Sequence, residues 1–512
     1  MQCGAVRNAT DNMITSHDMV MEEAQVKNDL AEPAPPRLRH RILKAGGWAG
    51  VGFVLDKVIA AIQLMVVARL LVPADFGVMA ASATIVLAFM TISELGLESA
   101  LIAKAKVDRE DLAVAWTFAI ARGAVMAAGL WAAAEMIGEA MQMPQLASLL
   151  RVHAWLLLLQ GLQSPAMAIV LKNLDLRRRV TMDLLRRVIE AGAIISLALW
   201  LRSVWALLLG QMIGMCVGSL LSFRVAPFRP RLSLYRPACH YFLRYGKHLN
   251  VTTLCIFGVM SGGELVIGRI LGQEALGFYQ IALAIPLLLG VRATVLIHQI
   301  SMPTYALLQQ DRRGVARVFE LQMGLVGLIF IPLAVGVAVL APAIVPLAFG
   351  PQWLGVVDAL RMLCVYAVFA GYSSVMTALH YGANRPDLQM KSWGAQFLFY
   401  AAVLVPLTLG FGLTGAAAAL VASYVVGVLL QSMGTRSLIG TAANTTFWSV
   451  GRSSLIAGFI AGVILLTAGS TAIPVASWLL VSACLGGLGL YGWYLWSVEV
   501  PRLKLLWSMV DG

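Results

Sequence analysis

The sequence predicts an all-α polytopic membrane protein of about fourteen transmembrane helices, with two six-helix lobes related by a parallel repeat and two further C-terminal helices. Three observations carry that prediction. The first is composition: of 512 residues, 59% are hydrophobic and only 12% charged, and the mean hydropathy is +0.80. A soluble domain carries about 25% charged residues, so this chain needs the bilayer as its solvent. The second is an internal repeat. Val66–Gly77 reads VVARLLVPADFG and Val266–Gly277 reads VIGRILGQEALG, with Arg69/Arg269, Leu71/Leu271 and Gly77/Gly277 identical. The register holds upstream, where Leu43, Lys44 and Gly46 meet Leu243, Arg244 and Gly246. The third is the alternation of basic and non-basic loops described below.

A crossing needs about 20 apolar residues. On that rule, spans fall near 46–70, 77–102, 113–137, 147–171, 184–201 and 204–223, and again near 247–271, 277–300, 319–348, 359–382, 392–411 and 415–435. Two more, near 452–470 and 474–497, lie outside the repeat. The expected organisation is a disordered cytoplasmic tail over 1–41, a first lobe over 42–224, a basic linker over 225–245, a second lobe over 246–437 and two extra helices over 451–498. The tail is polar, ends in Pro33-Ala34-Pro35-Pro36 and lacks the apolar core of a signal peptide. Met13, Met19 and Met21 are alternative starts.

Basic residues test the threading. One set of loops holds Arg37 to Lys44, Lys104, Lys106 and Arg109, then Lys172 and Arg177 to Arg187, then Arg224 to Lys247. It continues with Arg312, Arg313 and Arg317, Arg385 and Lys391, Arg436 and Arg452, and Arg502 and Lys504. The alternate loops hold only Arg69, Arg151, Arg202, Arg269 and Arg361. The positive-inside rule then puts both termini in the cytoplasm. An even number of spans per half gives the two halves one orientation, which makes the repeat parallel, the plan of a transporter with its path between halves.

Ionisable groups inside spans cost a few kcal/mol each by insertion scales and face a cavity or a partner. The first span carries Asp56 and Lys57, the second Glu94 and Glu98, the third Arg122, the seventh Glu264, and the eighth Arg292 and His298. Lys57, Arg122 and Arg292 are the cationic cavity candidates, with ion pairing to Asp56, Glu94 or Glu264 as the equal alternative. The same three acids are candidates for binding a coupling ion. Glu98, His298 and Glu320 sit near span ends and read as interfacial. Arg69 and Arg269 end their spans, where snorkelling and compensation of the helix dipole explain them. With Pro73, Gly77 and Gly277 they read as structural. His153 and His380 read as packing histidines.

Phe349-Gly350-Pro351-Gln352-Trp353 reads as a helix break with an interfacial tryptophan. Cys216, Cys255, Cys364 and Cys484 lie in apolar runs and read as buried structural thiols, without metal or disulfide spacing. No catalytic motif is visible, nor a phosphate-binding loop with a lysine, and nothing implies a cofactor. The net charge of +12 belongs to membrane loops and does not call for nucleic acid.

Ala68-Arg69-Leu70-Leu71-Val72-Pro73-Ala74-Asp75-Phe76-Gly77, followed by Glu94-Leu95-Gly96-Leu97 and Ala100-Leu101-Ile102, resembles the polysaccharide flippase family. This is a branch of the multidrug/oligosaccharidyl-lipid/polysaccharide superfamily. Gly268-Arg269, Leu271-Gly272 and Leu276-Gly277-Phe278-Tyr279 are similar to its second-half segment, and Phe349–Trp353 and Ala383-Asn384-Arg385-Pro386 fit as well. The resemblance covers roughly residues 40 to 440. It implies a V-shaped pair of six-helix lobes around a cavity. It also implies transfer of undecaprenyl-pyrophosphate-linked oligosaccharide across the bacterial inner membrane, with membrane lipid, a polymerase and a co-polymerase as partners. In the lipid II flippases of the superfamily, arginines of the first and eighth spans matter, and Lys57 and Arg292 are similar in placement. Lysine lacks the arginine fork for phosphate oxygens.

A non-enzymatic flippase for exopolysaccharide, capsule or O-antigen synthesis is therefore the expected function. Two other readings remain at this point. A drug–cation antiporter of the multidrug branch would use Asp56 or Glu94, but that branch has twelve spans. A membrane polymerase or ligase would need a long external loop with catalytic residues, and none is present.

Overall fold

Prolines and glycines punctuate the helices where elementary backbone chemistry expects them. The computed structural model describes residues 36–93, 96–104, 106–173, 175–246, 251–287, 301, 302, 304, 305, 308 and 311–440. The first half comprises α1 (Pro36–Leu70), α2 (Pro73–Ile92), the short α3 (Leu97–Ala103), α4 (Arg109–Met141), α5 (Pro144–Gly161), the short α6 (Met167–Lys172), α7 (Leu176–Leu201) and α8 (Trp205–Val225). The linker carries α9 (Arg236–Gly246). The second half comprises α10 (Val251–Met260), α11 (Gly262–Pro286), α12 (Arg312–Ala348), a 3-10 turn at Pro351–Val356, α13 (Val357–Gly382) and α14 (Pro386–Ile439). No strand occurs among the described residues.

Pro73, Pro144 and Pro386 each open a helix, where the missing N–H costs nothing and φ is already helical. Asp108 and Asp111 form a capping box that starts α4, with the Asp108 N–H donating to Asp111 Oδ2 at 2.9 Å. Inside α11 the chain turns at Gly272, φ 86°, and inside α14 at Gly412, φ 60°. Both fall where the sequence separates successive spans, and both need the left-handed freedom of glycine.

Eight helical stretches among the described residues are long and apolar enough to cross a membrane: Gly50–Leu70, Pro73–Ile92, Arg109–Met141, Trp205–Val225, Thr252–Pro286, Arg312–Ala348, Pro351–Gly382 and Pro386–Ile439. The chain is a multi-pass membrane protein. Several details depart from the sequence reading. Helix α1 begins at Pro36, so residues 36–41, assigned to the tail, are helical. The span expected over 147–171 is two helices, broken around Ser164 and Pro165. That buried break is satisfied from α8: Ser164 N–H donates to Ser222 Oγ at 2.9 Å, and Ser164 Oγ–H to the Ala226 carbonyl at 2.8 Å. Non-helical backbone at membrane depth is tolerated under that condition. Cys216 is exposed and Cys255 half-buried, so only Cys364 among these is a buried thiol. Cys484, the helices expected over 451–498 and the tail before Pro36 lie outside the described residues.

The linker packs on the first lobe. Ala238 and Phe242 of α9 are buried against Ala100, Leu101, Val114 and Ala115 of the first lobe. Arg231 pairs with Glu110 at 3.2 Å, and Ser233 N–H donates to Thr117 Oγ1 at 2.9 Å. The two halves meet chiefly through α2 and α11, the second helix of each repeat. One hydrophobic core runs through both, joining Val78, Ala81 and Ile85 to Leu276, Tyr279 and Ile281.

Candidate functional site

The loops rich in Arg and Lys define one face of the molecule, here called the basic face; the other is the far face. At the far face the two repeat motifs lie against each other. A Cβ on Gly77 would collide with the Gln273 carbonyl oxygen, and one on Gly277 with the Pro73 carbonyl oxygen. Because Pro73 and Gln273 hold equal places in the repeat, the contact is reciprocal.

The repeat arginines cross between halves in the same reciprocal way. Arg69 donates through Nε to the Ala348 carbonyl at 3.2 Å and through Nη2 to the Leu347 carbonyl. These carbonyls belong to the last turn of α12, which leaves acceptors unpaired. Arg269 Nη1 donates to Gln142 Oε1 at 3.0 Å, and Gln142 is the residue that ends α4. Each arginine therefore addresses the third long helix of the opposite half, and the dipole of its own helix is not what holds it. Trp353, expected at the interface with lipid, is instead fully buried. Its Nε1–H donates to the Ala68 carbonyl at 2.7 Å, and its ring meets Phe76 edge-on at 5.2 Å and Phe278 at 6.0 Å. It plugs the seam between the lobes.

Beneath this seal, toward the basic face, lies a cavity of about 540 Å³. Asp56, Lys57 and Gln63 of α1 line it with Arg186 and Arg187 of α7, and Gln280 and Ala284 of α11 close it from the second half. Lys57 pairs with the adjacent Asp56, although neighbours on a helix point about 100° apart. Arg187 Nε stands 3.6 Å from Asp56 Oδ1, and its Nη1 is 2.8 Å from Glu190 Oε1. Arg186 Nη1 is 2.8 Å from Glu190 Oε2. Among the residues that line the cavity, Lys57, Arg186 and Arg187 thus outnumber the single carboxylate, Asp56. The buried Arg187 Nε and Gln63 Oε1 have no hydrogen-bond partner among the described residues. Guanidinium forks with spare N–H groups suit phosphate oxygens. A second cleft, of about 570 Å³, lies beside Arg109, Phe228 and Arg231 on the first lobe, away from the lobe interface.

Of the residues expected at a site, Lys57 and Asp56 line the cavity. Arg122 does not: it is half-buried on α4, outside the cavity lining, and the Gly123 beside it packs on α5. Glu264 is buried at the lobe interface, where it accepts hydrogen bonds from Thr84 Oγ1 of α2 and from the cavity residue Gln280. It forms no ion pair among the described residues. Glu94, Arg292 and His298 lie outside the described residues. Glu98 pairs with Arg179 at 3.0 Å.

Arg186 and Arg187 were missed as cavity residues, as was Glu190, the carboxylate behind them that pairs with both. The run from Arg177 to Arg187 carries the charge of a cytoplasmic loop, and that reading absorbed all of it. The informative signal was spacing: Arg186 and Glu190 stand four apart and Arg187 and Glu190 three apart, the geometry of one helical face.

Two halves in reciprocal contact, with a cavity of cationic lining beside that contact, are the build of a membrane transporter. The chain belongs to the polysaccharide biosynthesis protein family, whose model matches residues 66–358. It is similar to the lipopolysaccharide biosynthesis protein WzxC of Escherichia coli (strain K12), with 23% identity over 381 residues, covering 72% of this chain and 75% of that one. It is also similar to the succinoglycan biosynthesis transport protein ExoT of Rhizobium meliloti (strain 1021), with 23% identity over 292 residues, covering 57% and 59%. In fold it matches an inward closed conformation of the lipid II flippase MurJ, with a TM-score of 0.71 at 13% identity, covering 89% of this chain and 99% of that one. An inward-facing multidrug resistance MATE family transporter of the MOP superfamily matches in fold with a TM-score of 0.57 at 16% identity, covering 77% of this chain and 95% of that one.

Proposed function

We propose that this protein is a flippase that moves polyprenyl-pyrophosphate-linked oligosaccharide units across the bacterial inner membrane for assembly of a surface polysaccharide. The observation that carries the reading is the cationic cavity of Lys57, Arg186 and Arg187 between two lobes sealed at the far face. Bare pyrophosphate and sugar hydroxyls cannot enter hydrocarbon, because unpaired buried charge is prohibitive. A polyprenyl tail can stay in lipid while its head group passes between the lobes. The positive-inside rule makes the basic face cytoplasmic, so close contact at Gly77 and Gly277 on the far face supports entry of substrate from the cytoplasm. The names of the relatives, which speak of lipopolysaccharide and succinoglycan biosynthesis, support the same substrate class.

In this scheme the protein makes and breaks no covalent bond. Arg187 and Lys57 exchange their contacts with Asp56 and Glu190 for contacts with phosphate oxygens, and the seal at Gly77 and Gly277 opens to release the head group outward. A drug–cation antiporter would call for an acidic cavity, and here the cations are in excess.

The test is the lipid-linked oligosaccharide pool in a strain deleted for this protein and free of a redundant flippase. The reading expects completed repeat units to accumulate on the cytoplasmic side while surface polymer is lost. A normal pool with normal polymer would overturn it.

A further inference from the structure

A file of buried polar side chains runs through the second lobe, where packing alone would call for apolar ones. Near the basic face lies His380 of α13, fully buried. Its Nδ1 is 3.1 Å from Gln389 Oε1 and its Nε2 is 3.2 Å from Thr435 Oγ1, both on α14. Gln389 Nε2 donates in turn to Thr377 Oγ1 at 2.8 Å. One helical turn from Thr435 along α14, Gln431 Nε2 donates to Ser373 Oγ at 3.0 Å. One turn further, Gln396 Oε1 fills the space that a Cβ on Gly427 would need. Next come Tyr424, hydrogen-bonded to Tyr366, and Tyr400, whose hydroxyl lies over Gly263. Glu264 follows Gly263 and accepts from Thr84 of the first lobe.

The gaps in this file are where its unpaired atoms stand. Gln396 and Gln431 are both 0% exposed. Both amide atoms of Gln396, and Oε1 of Gln431, lack a partner among the described residues. Successive rungs are one turn, about 6 Å, apart, which is the reach of a bridging water. Buried polar groups without protein partners are satisfied by water. The rungs alternate donors and acceptors through imidazole, amide and hydroxyl groups. The file contains one carboxylate and no cluster of acids, which favours a proton over a metal cation.

From this arrangement we infer that the file is a hydrated proton path from the basic face to Glu264, and that Glu264 is the proton-binding group that sets the inter-lobe seal. The groups facing Glu264 are Thr84 of α2, Gln280 and Tyr279 of its own helix, and Tyr400 of α14. No Lys or Arg among the described residues lies within ion-pair reach of it. A carboxylate charge held between α2 and α11 without a cation is costly, so proton binding and closure favour each other. Loss of the proton hydrates Glu264 and loosens the two helices that carry Gly77 and Gly277. The inference rests on the alternating-access part of the proposed function.

The experiment follows the seal directly. Fluorophores at Val72 and Leu354, exposed far-face positions on opposite halves, report energy transfer in the full-length protein reconstituted in liposomes, with pH stepped on the basic-face side. Raising the pH is expected to lower transfer as the seal opens. Glu264→Gln is expected to remove the response. Gln396→Leu and, independently, Gln431→Leu are expected to keep the final amplitude but slow its approach about tenfold, the effect of a barrier change that any folded variant can report. A full response in Glu264→Gln, or wild-type rates in both leucine variants, would overturn the inference. No saccharide is present, so failure of the flippase reading leaves this result standing, and the converse holds.

Discussion

Gly77 and Gly277 hold the same place in the two halves of the chain, and each packs against the backbone of the opposite repeat at the residue four positions before its twin. The local two-fold relationship is thus expressed by two backbones in direct contact. Any side chain at either glycine separates α2 from α11. The same reciprocity governs Arg69 and Arg269, each of which reaches the end of the third long helix in the other half. Residues that the two halves share in sequence are thus residues at which the lobes meet.

Gly77→Ala and Gly277→Ala should each place a methyl group against a main-chain carbonyl. Overpacking of this kind costs roughly 1–3 kcal/mol, here charged to the sealed state alone. The expected outcome is faster labelling of a cysteine at Phe278 by a membrane-impermeant thiol reagent, by roughly tenfold for each alanine. Unchanged labelling would mean that the contact does not hold the seal.

Trp353→Ala removes a fully buried indole, its hydrogen bond to Ala68 and its edge contacts with Phe76 and Phe278. Truncation of a buried tryptophan costs about 3–5 kcal/mol. A lowered melting temperature in detergent is expected, together with an opened far face. Trp353→Phe should recover part of the packing and none of the hydrogen bond.

Arg69→Ala and Arg269→Ala should destabilise mildly, because both side chains are exposed. A hydrogen bond contributes about 0.5–1.5 kcal/mol net. Arg69 makes two bonds to unpaired carbonyls of α12 and Arg269 makes one to a side-chain amide. Thermal melting should therefore show the larger loss for Arg69→Ala.

Arg187→Ala and Lys57→Ala should lower surface polymer in a complemented deletion strain at unchanged protein level, whereas Arg122→Ala should leave it near wild type. Removing Arg187 leaves Glu190 with Arg186 alone and takes one cation from Asp56. Equal losses in all three variants would show that the positive charge acts generally and not through the cavity.

Much of the architecture was legible because it rests on long periodic signals. Apolar runs marked the helices, and the Val66–Gly77 and Val266–Gly277 pair marked the surfaces on which the two halves meet. The turns at Gly272 and Gly412 fall between the spans read from hydropathy. The site was less legible because tertiary contact decides it. Lys57 stood out as a charge in an apolar run, yet Arg186 and Arg187 sat within a basic run that a loop explains equally well. Arg122 had the same local signature as Lys57 and lies outside the cavity. The burial of Trp353 depends on Phe76 and Phe278, residues far away in the chain. His380 read as a packing histidine, and its link to Gln389 and Thr435 depends on how two helices face each other.

The central claim is that the cationic cavity between the lobes passes a lipid-linked saccharide across the membrane. Its most direct test is reconstitution of the purified protein in liposomes that carry a fluorescent polyprenyl-pyrophosphate oligosaccharide, with outer-leaflet saccharide read by an added glycosidase. The account predicts that wild-type protein makes the inner-leaflet pool accessible to the enzyme while Lys57→Ala and Arg187→Ala protein, equally folded, does so far more slowly. Accessibility that stays at the outer-leaflet share with wild-type protein, or that rises equally with both variants, would contradict it.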